Sequence, residues 1–375
     1  MKFVIATEEL NYLINKCLNV VAQKSTLPIL SNFLLEAKNG ELILTATDLT
    51  VGVRCFTEAK IIEDGAVALP AKKFAQLVRE LTAANIEITS HSNDIVEISA
   101  NSSKFKIHGM NKNEFPSLPD VTDATQFKIS QKTLKELFNQ TSFAVSREEN
   151  RYVLTGLYLQ IENGIATFIG TDGKRLAKAY AKIDINPQFK GSYIVPAKAV
   201  EEMAKNLEEE SDATVFLMHD KIAVEASQTT IITKLLAGEY PDVSRVIPQN
   251  HEFVLQIHRE ELITLLRQIS LFTADANHSV RFTFQNGELK LTANSIDIGE
   301  GKVSMPVNYH GQKLEIAFNP TYCLHILNHC KKDDVETITL AITDAYNPGI
   351  ITPEENIKES PTPLYVLMPM RLNEE

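Results

Sequence analysis

The sequence has little of what marks membrane, secreted or nucleotide-binding proteins. No run of about 18 apolar residues occurs, so no segment is expected to span a membrane. The first residues, MKFVIATEELNYL, hold one lysine followed by acids and no apolar core segment, so we expect no secretory signal. The motifs GxxxxGK[ST], GxGxxG and GxSxG are missing, which argues against the common phosphate-binding loops and the serine nucleophile elbow. The apolar content of 44% and charged content of 23% are ordinary for a globular protein.

Cysteine is scarce, and its positions do not suggest a metal site. The four cysteines are Cys17, Cys55, Cys323 and Cys330. They stand at no paired spacing, so we expect buried, reduced thiols. His325 and His329 lie between the last two, but no second pair with zinc-finger spacing follows. The pattern favours packed thiols and helix-surface histidines over a metal centre, and no cofactor is predicted.

The chain does contain an internal repeat. Its first motif is written three times, as NGELILTATD at 39–48, NGIATFIGTD at 163–172 and NGELKLTANS at 286–295. The intervals are 124 and 123 residues. A second motif keeps the same period, as ALPAKKFAQLV at 68–78, IVPAKAVEEMA at 194–204 and, more weakly, AFNPTYCLHIL at 317–327. Two motifs with one period predict three copies of one domain.

Each copy has the pattern of an α+β domain. Asn-Gly followed by alternating apolar and polar residues predicts a β-hairpin with a type I′ turn. Two amphipathic helices accompany the strands, at about 8–19 and 72–81 in the first copy. The stretches EFPSLPDV (114–121) and EYPDVSRVIP (239–248) are proline-punctuated boundaries, which predicts domains at 1–122, 123–248 and 249–375. The acidic, proline-rich stretch 347–363, between the last two strands, is expected to be an exposed loop.

Positive charge recurs on one face of the second helix of the first two copies. Lys72 and Arg79 point away from the apolar stripe of 72–81, and Lys198 and Lys205 take the same places one repeat later. Acidic residues share these faces, so a plain solvated helix surface is one interpretation. The other is a shallow basic surface that contacts phosphates without recognising bases. The net charge of −11 argues against a protein that covers nucleic acid with its whole surface, but allows a local basic face.

Two further features leave alternatives open. Asp48 and Asp172 occupy matched repeat positions, but the third copy has Ser295, which favours turn capping over a pair of catalytic carboxylates. A hydrolase that uses these two aspartates is the alternative function. Apolar and arginine residues also gather in 171–177, 240–246 and 368–372. Pro369 cannot donate to a ladder, so we expect a strand edge there that accepts an extended peptide. A monomeric peptide-binding scaffold is a third interpretation.

With these residues in view, the whole chain from Met1 to Leu372 resembles the bacterial sliding clamps, the β subunits of DNA polymerase III. The most specific pieces are MKF at the start, TLPIL (26–30), ATD (46–48), VPAK (195–198), TDGKRLA (171–177), EYPDVSRVIP and the terminal YVLMPMRL. The resemblance implies three DNA-clamp domains, each of two helices packed on antiparallel sheets, which together form half of a ring. It implies a non-catalytic, cytoplasmic and nucleoid-associated bacterial processivity factor, a homodimer that encircles duplex DNA without sequence preference.

The resemblance also implies where partners bind. A pocket would take a short linear motif of the clamp loader, of the replicative and other DNA polymerases, and of repair proteins. Its residues would be Leu154, Thr171, Gly173, Lys174, Arg175, Leu176, Pro241, Arg245, Val246, Asn319, Tyr322, Val366, Met368, Pro369, Met370 and Arg371. DNA contacts would fall on Lys24, Lys72, Arg151 and Tyr152, beside the basic helix face. The dimer interface would pair Phe105 and Ile107 with Leu271 and Phe272 of the other chain.

Overall fold

The computed structural model describes residues 1–22, 26–274, 278–330, 336–353 and 363–371. The chain divides into two compact units. Unit 1 consists of 1–134 and 198–235, and unit 2 of 135–197 and 236–375. No helix in the described ranges is long and apolar enough to cross a membrane.

The described elements are six α-helices and 25 strands. The helices are α1 (Thr7–Cys17), α2 (Ala71–Glu80), α3 (Gln131–Thr141), α4 (Ala197–Asn206), α5 (Arg259–Ser270) and α6 (Pro320–His329). The strands of the first half are β1 (Lys2–Ala6), β2 (Asn32–Lys38), β3 (Glu41–Thr47), β4 (Val51–Glu58), β5 (Lys60–Glu63), β6 (Gly65–Pro70), β7 (Asn85–Ser90), β8 (Ile95–Ala100), β9 (Ser103–His108), β10 (Thr125–Ser130), β11 (Gly156–Glu162), β12 (Ile165–Thr171) and β13 (Arg175–Lys182). The others are β14 (Gly191–Pro196), β15 (Asp212–Leu217), β16 (Lys221–Ala226), β17 (Thr229–Lys234), β18 (Phe253–His258), β19 (Val280–Gln285), β20 (Glu288–Ser295), β21 (Gly299–Pro306), β22 (Leu314–Phe318), β23 (Thr337–Ile342), β24 (Gly349–Pro353) and β25 (Leu364–Leu367).

Unit 1 is built on two antiparallel sheets. One has five strands in the order β5-β1-β7-β8-β9. The other has eight, in the order β10-β15-β16-β17-β4-β3-β2-β6. The larger sheet joins strands of the first repeat to strands of the second through the β4–β17 pair, in which Gly52 lies opposite Ile232.

Unit 2 is also built on two sheets. Its eight-stranded sheet has the order β14-β11-β12-β13-β25-β24-β23-β18, and its four-stranded sheet the order β21-β20-β19-β22. The larger sheet joins strands of the second repeat to strands of the third through the β13–β25 pair, in which Leu176 lies opposite Val366. The internal repeat is therefore visible in both units as the same kind of junction.

The Asn-Gly hairpins form as the sequence predicts. Asn39, Asn163 and Asn286 have φ of 55°, 53° and 51°, and the glycines that follow have φ of 83°, 71° and 80°. Two successive positive φ angles are what a type I′ turn requires, and Asn and Gly tolerate them best. The turns therefore set the register of β2–β3, β11–β12 and β19–β20.

The helices attach to the sheets through the apolar stripes seen in the sequence. In α2, Phe74 and Val78 are fully buried, while Lys72 and Arg79 on the opposite side are exposed. Complete burial of a side chain such as Phe74 contributes about 1.5–3 kcal/mol. In α5 the buried residues include Leu262, Leu266 and Ile269, which belong to the core of unit 2.

Two expectations for the C-terminal part were wrong. Residues 349–353 of the expected loop are the strand β24, with Ile350 and Ile351 buried between β23 and β25, and residues 354–362 of that loop lie outside the described residues. The strand was not predicted because it is short and because Pro348 and Pro353 are typical of a loop. The expected strand edge at Pro369 is also not present, because β25 ends at Leu367 and has neighbours on both sides. The short strands β5, β6 and β14 were not predicted.

Candidate functional site

The turn between β12 and β13 carries the first predicted pocket residues. Asp172 Oδ1 accepts hydrogen bonds from the backbone N–H groups of Lys174 (2.9 Å) and Arg175 (3.0 Å). Thr171 Oγ1 donates to the carbonyl of Arg175 at 2.6 Å and accepts from Gly173 N–H at 3.1 Å. Gly173 has φ of +79°, which only glycine adopts without strain. These bonds hold the turn in one shape and confirm the capping role of Asp172.

The matched aspartate of the first repeat has the same role. Asp48 Oδ1 accepts from the backbone N–H groups of Thr50 (2.9 Å) and Val51 (2.8 Å), while its Oδ2 binds Lys198. Burial opposes ionisation of Asp48, but the Lys198 ammonium and the two backbone donors lower the pKa of the carboxyl overall. Capping is therefore confirmed for both aspartates, and both carboxylates are already engaged.

Arg175 is the best-anchored side chain of the pocket. Its side chain is 8% exposed, and the guanidinium lies 4.8 Å from the ring of Tyr322 and 5.3 Å from that of Phe143. It donates to Asp172 Oδ2 at 3.2 Å and to the carbonyl of Phe143 at 3.1 Å. Burial lowers the pKa of Arg175, and Asp172 opposes that shift. An arginine held by two rings and several acceptors has little freedom to move.

The His325 and His329 pair completes this network and was not foreseen as part of it. His325 Nδ1 lies 2.6 Å from Arg175 Nη1, and His329 stacks on Phe143 with ring centroids 3.9 Å apart. Burial lowers the pKa of both imidazoles, and the Arg175 charge lowers them further. The i, i+4 spacing placed both histidines on one helix face, but nothing in the sequence indicated Arg175 as their neighbour.

The C-terminal segment lies directly against the β12–β13 turn. Met368 N–H donates to the carbonyl of Lys174 at 3.0 Å, and Met370 N–H donates to that of Ala317 at 2.7 Å. Met368 is 36% exposed although its backbone is bound. Arg371 is exposed and Pro369 half-buried. The backbone N–H groups of Met368 and Met370 are thus occupied, while the side chains of Met368 and Arg371 remain exposed.

The boundary segment 239–248 packs beside the same strands. Tyr240 stacks on Tyr158 with centroids 4.5 Å apart, and burial raises the pKa of its phenol. Tyr240 and Val243 pack on a small core that contains Leu176 and Val366. Pro241, Arg245 and Val246 are among the exposed residues of the segment, and Arg245 pairs with Asp242 at 3.3 Å.

The remaining pocket residues are held by caps and turns. Asn319 accepts from the backbone N–H groups of Thr321 (2.9 Å) and Tyr322 (3.3 Å), so it begins α6 and orients Tyr322. The carbonyl of Leu154 accepts from Ser146 N–H at 2.8 Å, and its side chain is half-buried. Of the predicted pocket residues, the structure brings Tyr322 and Met368 into contact with the β12–β13 turn.

The predicted basic helix face lies in unit 1, on α2 and α4. Lys72, Arg79, Lys198 and Lys205 are all exposed. Their charges are not equally available, because Lys198 pairs with Asp48 and Lys205 pairs with Glu202 at 2.8 Å. Arg79 donates to Asn15 of α1 at 2.9 Å and keeps its charge. Among the described residues, Lys72 has no ion pair within 4 Å.

Two other predicted DNA contacts lie in unit 2. Tyr152 is 54% exposed, as an aromatic contact to nucleic acid requires. Arg151 Nη1 donates to the carbonyl of Asp172 at 2.7 Å, and its Nε lies 3.4 Å from Glu148. Arg151 is therefore tied to the β12–β13 turn. Lys24 lies outside the described residues.

The predicted interface residues lie on or near two edge strands, β9 and β21. β9 and β21 each end their sheet, so in the described ranges each pairs with a neighbour on one side only. Phe105 on β9 is 36% exposed, and Ile107 is half-buried. Leu271 is 71% exposed just after α5, while Phe272 packs partly on the core of unit 2. Exposed strand edges with apolar neighbours are typical places for another chain to add.

Comparison with known proteins decides the family. Three family models match consecutive parts of the chain. They describe the N-terminal domain (residues 1–119), the central domain (128–242) and the C-terminal domain (244–371) of the DNA polymerase III beta subunit. The chain belongs to the family of bacterial sliding clamps, the DNA polymerase III beta subunits.

Individual clamps agree over their full length. The chain is 52% identical to the beta sliding clamp of Chlamydia pneumoniae over 375 residues, which is 100% of both chains. The crystal structure of the DNA polymerase III subunit beta from Pseudomonas aeruginosa superposes with a TM-score of 0.93 at 29% identity, over 99% of this chain and 100% of that one. The clamp from Bacillus subtilis gives a TM-score of 0.93 at 25% identity, over 99% of both. The chain therefore has three clamp domains and the function of a sliding clamp, a processivity factor.

The four cysteines of this clamp chain are free and buried, as predicted. Cys17 Sγ and Cys55 Sγ lie 3.3 Å apart, and burial raises the pKa of the Cys17 thiol well above its usual value. Burial also raises the pKa of Cys323 to about 12. Burial raises the pKa of Cys330 as well, so the thiols of Cys17, Cys323 and Cys330 are protonated packing groups at neutral pH.

Proposed function

We propose that two copies of this chain associate head to tail into a ring that encircles duplex DNA, and that the unit 2 pocket tethers polymerases to it. The ring is non-catalytic, and the engaged carboxylates of Asp48 and Asp172 support this. The same proposal includes three domains, at 1–122, 123–248 and 249–375, and a cytoplasmic, nucleoid-associated location. The ring is supported mainly by a strand pairing between successive repeats. The chain forms this pairing twice, and the strands that would form it a third time are edges of their sheets.

The junction follows from the repeat. β4 of the first repeat pairs with β17 of the second, and β13 of the second pairs with β25 of the third. β21 has the same position in the third repeat that β4 has in the first and β13 has in the second. Likewise β9 is the counterpart, in the first repeat, of β17 and β25. Both are unpaired edges within the described chain. A β21–β9 pair between two chains is therefore the third junction, and two such pairs close a dimer head to tail.

The register of that pair can be derived on the β21 side. Thr47, Thr171 and Asn294 are each the ninth residue of an Asn-Gly repeat. They lie opposite Gly52, Leu176 and Glu300 in their hairpins. Glu300 thus takes the place of Gly52, which pairs with Ile232.

The same tracing works on the β9 side. Phe3 and Phe127 occupy the same position in the first strand of their repeats. Successive pairings lead from Phe3 to Phe105 and from Phe127 to Ile231. Lys106 therefore corresponds to Ile232, and the new pair places Glu300 opposite Lys106 of the second chain. Gly301 then faces Phe105.

This register fits the side chains that are present. A Cβ on Gly301 would come within 2.9 Å of Ile269 Cδ1 and Phe272 Cδ2, so this face of β21 looks toward the end of α5. Phe105 of the second chain, on the same face, would lie beside Phe272. The opposite face would carry the pair of unlike charges, Glu300 and Lys106, and beside it the like pair Lys302 and Lys104. This pairing would bring the predicted interface residues of the two chains close together.

A cross-linking experiment tests the ring. In a chain with Lys106→Cys and Glu300→Cys, mild oxidation is expected to give a covalent dimer, since directly opposed residues have Cβ atoms about 4.5–5.5 Å apart. The matched control, Lys106→Cys with Lys302→Cys, is two residues out of register and is expected to cross-link poorly. The native cysteines are buried and do not compete. Monomeric product from the first variant, or equal yields from both, would count against this ring.

We further propose that the helix face of α2 and α4 contacts the phosphates of the encircled DNA without sequence preference, together with Lys24, Arg151 and Tyr152. Exposure of all four helix cations supports this, and the ion pairs of Lys198 and Lys205 make the contact weak. A weak contact suits a ring that must slide. Clamps loaded on nicked circular DNA should be lost when the circle is linearised. Retention on the linear form would contradict encirclement.

For the pocket, we propose that the clamp loader, replicative and other polymerases, and repair proteins insert short linear motifs beside Met368. The support is a rigid turn with an exposed methionine, and an exposed valine, Val246, in the boundary segment. Met368→Ala is expected to weaken polymerase binding about tenfold or more, since the truncated side chain buries less apolar surface against the motif. The dimer constant should not change, because Met368 belongs to neither of the strands β9 and β21 that form the proposed junction. Equal polymerase affinity in calorimetry would refute the assignment.

A further inference from the structure

Unit 1 has a cavity of about 280 Å³ that the proposed function does not use. Three segments line it: the β3–β4 turn, the boundary segment 116–119, and the strands β16 and β17 near Lys221 and Lys234. Its lining mixes apolar residues with both signs of charge. The volume suits one large side chain with a short stretch of backbone.

The repeat makes this cavity the counterpart of the unit 2 pocket. Thr47 Oγ1 donates to the carbonyl of Val51 at 2.9 Å and accepts from Leu49 N–H at 3.0 Å. These are the bonds that Thr171 makes one repeat later. Asp48 caps the turn as Asp172 does. The boundary segment 116–119 matches 241–244, and β17 matches β25.

One residue in this turn is strained. Leu49 has φ of +73°, where its counterpart Gly173 has +79°. This left-handed conformation is disfavoured for a bulky side chain, and glycine adopts it freely. The Leu49 side chain is also 57% exposed, at the mouth of the cavity. An exposed apolar side chain held in an unfavourable backbone conformation points to a function, since folding alone would favour glycine there.

The floor and the charges of the cavity indicate what it accepts. Gly52 stands where unit 2 has Leu176, and a Cβ there would come within 2.4 Å of Leu118 Cδ2, so Leu118 covers the floor. At one end, Asp220 pairs with Lys221 at 2.9 Å. Lys234 also lowers the pKa of Asp220, after the larger effect of Lys221, but has no ion pair within 4 Å among the described residues. That end therefore carries one uncompensated positive charge.

We propose that this cavity is a second peptide-binding site, which accepts a short extended segment of a partner protein with an acidic side chain next to a large apolar one. The apolar side chain packs between Leu49 and Leu118, and the carboxylate meets Lys234. The inference rests on the proposed function only in that the unit 2 pocket is taken to bind peptides. The chain then offers two related sites to its partners, and their different turns select different segments.

The experiment uses the full chain and a phage-displayed library of random heptapeptides flanked by glycine. Selected peptides are synthesised and titrated by calorimetry against Leu49→Gly, Lys234→Glu and Met368→Ala. We expect one class, with neighbouring acidic and apolar residues, to bind about tenfold more weakly to both Leu49→Gly and Lys234→Glu. That class should bind Met368→Ala as it binds the native chain. Leu49→Gly should not lower the melting temperature, because glycine removes the strain.

Absence of this class, or a class that binds Leu49→Gly and Lys234→Glu as well as the native chain, would overturn the second site. If Leu49→Gly proves less stable than the native chain, Lys234→Glu alone decides, since its side chain is exposed. Peptides whose binding is abolished only by Met368→Ala report on the unit 2 pocket. The experiment therefore distinguishes a failure of the second site from a failure of the unit 2 pocket.

Discussion

The charge pair at the proposed ring interface gives the sharpest prediction. Lys106→Glu replaces an attraction to Glu300 of the second chain with a repulsion. In the single chain Lys106 is 71% exposed and lies 2.8 Å from Glu97, whose pKa it lowers. The substitution therefore also places a second carboxylate beside Glu97, and the melting temperature of the chain must be measured alongside association.

The expected size follows from the geometry. Exposed ion pairs contribute up to about 1 kcal/mol, and close pairs across interfaces couple by about 1.5 kcal/mol or more. We take about 1.5–3 kcal/mol for changing attraction to repulsion in one partly shielded interface. A ring has two such interfaces, so the total is about 3–6 kcal/mol and its dissociation constant should rise roughly 150-fold to 20,000-fold. The effect should shrink at high salt, because screening acts on exposed charges.

The assay is sedimentation equilibrium or light scattering over a range of concentrations. Combining Lys106→Glu with Glu300→Lys in one chain restores unlike charges at both interfaces and should recover most of the lost affinity. Lys104→Glu is the matched control, because the same register places Lys104 opposite Lys302. It should leave the dimer unchanged or strengthen it. A dimer equally weakened by Lys104→Glu, or not rescued by the double change, would refute the register.

Three other predictions concern the pocket and the basic face. Arg175→Ala should lower the free energy of unfolding by about 2–4 kcal/mol, because Asp172 and the Phe143 carbonyl lose a buried partner. The control Arg245→Ala, at a side chain 85% exposed, should change it by less than about 0.5 kcal/mol, and equal losses in urea melts would be contrary. Because burial and Arg175 lower the pKa of His325 and His329, their contribution to stability is complete above the unfolded pKa of about 6.5. This contribution is lost as the pH falls from the unfolded pKa through the folded pKa. His325→Gln with His329→Gln should therefore flatten the pH profile of the melting temperature below a pH of about 6.5. An unchanged slope would contradict this prediction. Lys72→Glu with Lys198→Glu should weaken loading on DNA and flatten its salt dependence, by about 0.9 in logarithmic slope for each phosphate that the clamp no longer neutralises, without altering the peptide affinity of the unit 2 pocket. Equal loading rates would argue against the basic face.

The sequence alone identified local structure well because that structure depends on near neighbours. Asn-Gly pairs specify type I′ turns through backbone φ, so all three repeated hairpins were predictable. The apolar spacing of α2 gave its buried face and hence the exposure of Lys72 and Arg79. The capping roles of Asp48 and Asp172 followed from their place after a strand. The family resemblance then supplied, by motif, the residues proposed for the pocket.

Short strands and side-chain neighbours were less accessible. β24 was missed because Pro348 precedes it and Pro353 ends it, and because its pairing with β23 and β25 exists only in the folded chain. Arg175 and His325 are 150 residues apart, and only the fold brings them within 2.6 Å. The ion pairs of Lys198 with Asp48 and of Lys205 with Glu202 likewise reduce a basic face that looked uniform in sequence.

The sequence by itself determined the triplication, the turn chemistry and the two faces of each helix, since these depend on periodicity and on backbone preferences of single residues. Only the tertiary structure decided which strands join across repeats and which edges stay open. It also decided which cations are already paired, and that Leu49 keeps a conformation suited to glycine. Those outcomes depend on contacts between residues that are distant in the chain and meet only when it folds.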